Sequence, residues 1–215
     1  MIVRCFEGGP FQENAYLVAC EETRRAVAVD PGGAASRLVR SVAEDGLELV
    51  AVLLTHAHLD HVDGIPEVRH FAPDVPIHLH PADRPLYDAA PQQAQAFGLV
   101  APALPAPDRE IVVGETLEFS PELRFEVRFA PGHAPGHVVF VAPGEGLALV
   151  GDVVFAGSIG RTDLPGGDFG TLMRSIREEI LTLPDDTRLL PGHGPQTTVG
   201  RERTSNPFLT GAITG

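Results

Sequence analysis

The chain has 215 residues, 43% of them hydrophobic and 21% charged, with 23 Gly and 20 Pro, a balance that supports a buried core without disulfides and excludes a disordered or collagen-like polymer. Sixteen basic residues against 29 acidic ones leave a net charge of −13, which repels nucleic acid and anionic membranes and favours a small-molecule substrate. All the basic residues are arginine, so Schiff-base chemistry and a phosphate-loop lysine are excluded.

In chain order, apolar runs ending in turn residues predict strands at 2–6, 15–19 and 26–30. A helix is expected over 34–44, followed by strands at 49–55 and 75–80. Helical spacing over 81–97 is interrupted by Pro91, and the Pro-rich stretch 98–108 reads as a surface loop or a crossover between two halves. Strands at 123–130, 137–142 and 147–152 lead to a helix over 169–183, with Asp168 as its N-cap, and then to a last strand at 187–192. No tandem repeat or low-complexity linker divides the chain, so residues 1–215 read as one domain. The first residues are not a basic start followed by a long apolar stretch, and no apolar run approaches the ~18 residues of a membrane span, which implies a cytoplasmic protein. Cys5 and Cys20 lie in apolar segments and read as two reduced core thiols.

The densest chemistry is THAHLDH, residues 55–61, directly after the strand over 49–55. Alternate side chains of an extended segment share a face, so His56 and His58 can grip one metal while the following turn swings Asp60 and His61 towards a second. Three imidazoles and a carboxylate so close together would be repulsive or unsatisfied without a cation. His133, Asp152 and His193 occupy similar positions, each at a strand end beside glycine. Together the seven residues offer five imidazoles and two carboxylates, enough for two metals of three or four protein ligands each.

These residues resemble the metallo-β-lactamase superfamily, whose H-x-H-x-D-H signature stands here as His56, His58, Asp60 and His61 with their spacers. The resemblance implies that His56, His58 and His133 bind a first metal, that Asp60, His61 and His193 bind a second, and that Asp152 bridges them. It implies an α+β fold, a four-layer αβ/βα sandwich in which two mixed sheets are flanked by helices and the site lies at one edge. The segments QENAYLV, VDPGG, APGHAPGH, GDVVFAGSIGRTDLPGGD, PGHGP and RERTSNPFL look like the short, single-domain form of glyoxalase II. The chain departs from the long form in stopping soon after His193, where that form carries a glutathione-holding helical domain.

The chemistry this implies is that of a metal-dependent hydrolase of 2-hydroxyacyl thioesters such as S-lactoylglutathione, using a metal-bound hydroxide, with Asp60 able to relay a proton. The cofactor expected is a pair of divalent ions, with zinc favoured and iron or manganese compatible with an N/O ligand set. Asp30 and His137 are candidates to orient ligand imidazoles. Ser158 is expected to line the pocket, and Arg161 with Asp163 to form an ion pair beside it. Gln12 and Asn14 lie in a loop beside the site, and Tyr87 and Phe97 read as core with a pocket wall as the alternative. His70, His78 and His80 match no ligand position. Rival functions are a persulfide dioxygenase with one iron, whose family also carries a GRTD segment, and an RNA-processing nuclease, which the charge disfavours.

Overall fold

A computed structural model describes residues 1–213. The chain opens with a meander of strands β1 (Ile2–Gly8), β2 (Glu13–Ala19) and β3 (Arg25–Val29), crosses through helix α1 (Ala35–Glu44) and returns as β4 (Glu48–Leu53). The short helices α2 (Leu59–Val62) and α3 (Ile65–Phe71) precede β5 (Ile77–Leu79), and α4 (Arg84–Asp88) and α5 (Ala90–Ala96) precede β6 (Arg109–Glu110). These six strands form one sheet in the order β1-β2-β3-β4-β5-β6, antiparallel up to β3 and parallel beyond it.

The second half builds β7 (Thr116–Glu118), β8 (Arg124–Phe129), β9 (Val138–Ala142) and β10 (Leu147–Gly151), then the hairpin β11 (Val154–Phe155) and β12 (Ser158–Ile159). Helix α6 (Phe169–Ser175), β13 (Arg188–Pro191), β14 (Thr197–Thr198) and α7 (Val199–Ser205) complete the described elements. The second sheet runs β14-β13-β10-β9-β8-β7, with β10 and β13 parallel and its other pairs antiparallel.

Side-chain alternation stacks these elements in layers. In β2, Ala15, Leu17 and Ala19 pack with Leu38 and Val42 of α1, while Tyr16 and Val18 face the second sheet. In β9, Phe140 packs between the sheets and Val139 and Val141 pack against Leu172 and Ile176. Such strands are covered on both faces, which is why they read as continuous apolar runs. The result is the expected α+β sandwich of two mixed sheets flanked by helices.

All nine predicted strands are present, and the five missed ones, β6, β7, β11, β12 and β14, have two or three residues each. The expected helix over 81–97 is divided into a 3-10 turn at Pro81–Asp83, α4 and α5, the break falling just before Pro91, which has no N–H to carry the ladder through. The helix over 169–183 begins as expected, with Asp168 accepting from the Thr171 N–H at 2.7 Å, but passes into a wider turn over Ile176–Ile180. Residues 98–108 form a surface loop that leads to β6 in the first sheet; the passage between sheets comes later, between β6 and β7. Cys20 is buried but Cys5 is exposed on β1, so only one of the two free thiols belongs to the core. No helix among the described residues is long and apolar enough to cross a membrane.

Topology sets the place of the site. Strands β8, β10 and β13 run in one direction, so the residues beyond their C-terminal ends reach the same edge of the second sheet. Strands β3 and β4 are parallel and deliver Asp30 and the 55–61 segment from the first sheet.

Candidate metal centre

His56 lies three residues after the end of β4, His58 is the extended residue that starts α2, and the single turn of α2 carries Asp60 and His61. His133 follows β8, Asp152 follows β10 and His193 follows β13. Donor atoms of His56, His58 and His133 lie within 4.8 Å of one another, as do those of Asp60, His61 and His193. Asp152 stands between the two groups: its Oδ2 is 3.4 Å from Nε2 of His133 and 3.5 Å from Nε2 of His193, and its Oδ1 is 3.4 Å from Nε2 of His61. All seven candidate ligands are therefore assembled in one place. Gly192 is packed so closely that a β-carbon there would collide with Asp152 and His61.

Hydrogen bonds on the far side of three imidazoles define which nitrogen is free. Thr55 donates its hydroxyl to Oδ2 of Asp30 at 2.5 Å, so its oxygen can accept from Nδ1 of His56 at 3.0 Å. His61 donates from Nδ1 to Asp30 at 3.0 Å, and His133 donates from Nδ1 to the Arg161 carbonyl at 2.8 Å. In each case the proton is held outside and the Nε2 lone pair turns inward, as metal coordination requires. His58 presents Nδ1 instead, 2.8 Å from Nε2 of His133. Nε2 of His56 and His61 and Oδ1 of Asp152 are buried without any hydrogen-bond partner. Orphaned polar atoms cost free energy that a divalent cation would recover, and this N/O donor set fits one.

Electrostatics agree. Burial and the neighbouring imidazoles push His56 well below the ordinary histidine range, and burial with His133 lowers His58 to about 3. Both are neutral, the form that binds metal. Burial opposes charge on His61, but the carboxylates of Asp152 and Asp60 prevail and raise it well above its usual value. Burial likewise opposes ionisation of Asp152, and His61 overrides it, holding the carboxyl far below the carboxylate range. Convergent carboxylates thus demand positive charge, which a proton on His61 supplies when no cation does.

Of the weaker candidates, Asp30 holds Nδ1 of His61, and His137 accepts the Asp152 N–H at 3.0 Å through Nε2 while stacking on His56. Ser158 and Arg161 line the cavity over the centre, about 340 Å³ in volume, with Phe11, Phe97, Phe155 and Ile159 as apolar walls. Arg161 forms a two-pronged pair with Asp163 at 2.8 and 2.7 Å. Tyr87 is core, whereas Phe97 is half exposed and meets Phe11 edge-on with ring centroids 5.0 Å apart, so Phe97 is a pocket wall. Asn14 ties the loop of His193 down by donating to the carbonyls of Pro191 and Gly194, while Gln12 is exposed. His70, His78 and His80 lie outside the cluster.

Sequence reasoning missed Thr55, Glu13, Asp83 and Gln93. Glu13 is fully buried with both oxygens unpartnered, and burial pushes it well above the carboxylate range. A charged residue heading the apolar run AYLVA was the available signal. Asp83 and Gln93 act from about 25 to 35 positions away, and no local pattern marks them.

The family model of the metallo-beta-lactamase superfamily matches residues 8–193. The chain is 43% identical to hydroxyacylglutathione hydrolase GloC of Haemophilus influenzae over 201 residues, 93% of each protein. Among solved structures it resembles TTHA1623 in a di-iron-bound form, with 44% identity, TM-score 0.87 and coverage of 96% of this chain and 100% of the other. It also resembles ETHE1 from Myxococcus xanthus, with 25% identity, TM-score 0.80 and coverage of 98% and 85%.

Proposed function

The chain belongs to the metallo-beta-lactamase superfamily, and on that premise we propose that it is a binuclear metallohydrolase of 2-hydroxyacyl thioesters, S-lactoylglutathione among them. The observation that carries this reading is Asp152, whose carboxylate touches both groups of donors: Oδ2 lies 3.4 Å from Nε2 of His133 in one and 3.5 Å from Nε2 of His193 in the other, where Oδ1 also lies 3.4 Å from Nε2 of His61. His56, His58 and His133 would hold one divalent ion and Asp60, His61 and His193 the other, with Asp152 shared. Bound there, divalent ions supply Lewis acidity to a thioester carbonyl and bring water towards ionisation at neutral pH.

The protein's own groups do the rest. Asp60 lines the cavity; burial favours its neutral form, but His61 and His193 hold its pKa below the ordinary value, so it is a carboxylate at neutral pH. Its Oδ2, 3.2 Å from Nε2 of His193, is placed to accept a proton from attacking water and return it to the departing sulfur. Water adds its oxygen to the acyl carbon, the carbon–sulfur bond breaks, and the products are a 2-hydroxy acid and a thiol. Phe11, Phe97, Phe155 and Ile159 shield the acyl group, and Arg161, the arginine lining the cavity, is engaged by Asp163. Anionic thiol carriers such as glutathione therefore gain little from charge, and a high KM for S-lactoylglutathione is expected, with tolerance of other 2-hydroxyacyl thioesters.

The likeness to GloC supports thioester hydrolysis, and the likeness to a di-iron protein supports two metals while leaving zinc and iron both open. Metal analysis alongside two assays tests the reading: hydrolysis of S-lactoylglutathione, and oxygen consumption with glutathione persulfide. Two ions per chain with hydrolysis is the expected result. A single iron with oxygen uptake would replace this reading with persulfide dioxygenase.

A further inference from the structure

His58 differs from the other imidazoles of its group. His56 is held at Nδ1 by the Thr55 hydroxyl and His133 at Nδ1 by the Arg161 carbonyl, but Nε2 of His58, the nitrogen away from its group, is buried and without a partner. Its ring lacks the hydrogen bond that ordinarily orients a ligand histidine. The main chain on both sides of His58 is instead gripped by two side chains from the segment that precedes the 98–108 loop.

Asp83 is fully buried and accepts from the Ala57 N–H at 2.9 Å through Oδ2. Its other oxygen accepts from the Gly136 N–H at 2.5 Å, so one carboxylate ties the His58 loop to the loop between His133 and His137. Gly136 permits this approach, because a β-carbon there would sit 2.6 Å from the Asp83 nitrogen. Gln93 completes the grip: its Nε2 donates to the Ala57 carbonyl at 3.1 Å and to the Leu86 carbonyl at 2.8 Å, and its Oε1 accepts from the Leu59 N–H at 3.0 Å. The peptide groups immediately before and after His58 are therefore both fixed from outside the loop.

We propose that Asp83 and Gln93 are positioning residues that aim His58 through its backbone, replacing the absent ring hydrogen bond, and so set the affinity of the His56, His58 and His133 group for its metal. This rests on the two-metal reading of the site. Fixing both neighbouring peptides removes the rotation about φ and ψ that would swing the ring away from His133, while χ1 and χ2 are limited by the buried walls around it. Asp83 also sets the spacing between the two loops that supply His58 and His133, which no ring contact could do.

The test is a stepwise Co(II) titration of the metal-free protein against a competing chelator, yielding two dissociation constants, in wild type, Asp83→Ala and Gln93→Ala. His133→Ala and His193→Ala identify which constant belongs to which group. The expected result is that both clamp variants weaken the constant lost in His133→Ala by about 10–100-fold and leave the other within about threefold. Equal weakening of both, or no change in either, overturns the proposal. Should Asp83→Ala fail to fold, Gln93→Ala decides alone, since its side chain is only part-buried. A second readout is independent of metal: 15N NMR of the histidine rings in the metal-free protein, where Gln93→Ala should alter His58 and spare His56 and His61. An unchanged His58 signal overturns the clamp, whereas a wild type that binds fewer than two ions overturns the two-metal reading and leaves this measurement to judge the clamp.

Discussion

Asp30 accepts a hydrogen bond from Nδ1 of His61 at 3.0 Å, and it does so from a left-handed backbone with φ of +48°. That conformation is uncommon for a residue other than glycine, asparagine or aspartate, and it is held here because the same carboxylate also accepts from the Thr55 N–H and hydroxyl. One carboxylate thus orders His61 directly and His56 through Thr55. Asp30→Ala should weaken metal binding by about 10–100-fold, the usual cost of losing such an outer hydrogen bond. Chelator competition checks this, and unchanged affinity would show that the ring is held by packing alone.

Asp152→Ala should release metal from both groups, because its carboxylate lies beside His133 of one group and beside His61 and His193 of the other. Metal content of the purified variant is the measurement. Retention of two ions would rule out a shared carboxylate.

The pair of Arg161 and Asp163 is exposed, and His133 is held by the Arg161 main-chain carbonyl, not its side chain. Arg161→Ala should accordingly leave metal content unchanged. Asp163→Asn should free the guanidinium to face an anionic carrier and lower KM for S-lactoylglutathione by a few fold, with kcat unaffected. A KM that stays constant would place the thiol carrier away from this arginine.

Buried histidines should contribute acid sensitivity to the metal-free protein. Burial lowers His58 to about 3 from 6.5 and pushes His56 and His137 well down, so these rings resist protonation only while the chain is folded. Their contribution is complete above pH 6.5 and is lost as pH falls towards the folded-state values. His61 and His193, raised in the folded protein, act in the opposite direction, their contribution fading as pH rises. The carboxyls of Glu13, Asp63 and Asp83, raised by burial in the folded protein, act with them. His58→Asn, which removes one strongly lowered group, should therefore make the change in Tm of the metal-free protein from pH 7 to pH 5 less negative than in the wild type. An identical change in the two proteins would contradict the lowered value of His58.

Strands β2, β3, β9 and β10 were legible because both faces of each are covered, which imposes unbroken apolar runs such as AYLVA and LALVG, and β8 was legible because its buried Phe125 and Val127 alternate with exposed Arg124 and Glu126. The candidate ligands were legible because a parallel arrangement brings strand ends to one edge, so each donor sits at a run's end: His56 to His61 after β4, Asp152 after β10, His193 after β13. Local chemistry also marked the Asp168 cap and the interruption near Pro91. Tertiary structure alone decided how these donors are aimed. Asp83 meets Ala57 across 26 positions and Gly136 across 53, Asn14 meets Gly194 across 180, and the unpartnered burial of Glu13 is defined only by what surrounds it. Such contacts depend on the closure of long loops around a finished core, and a hydrogen bond between residues so far apart imposes no pattern on the neighbours of either.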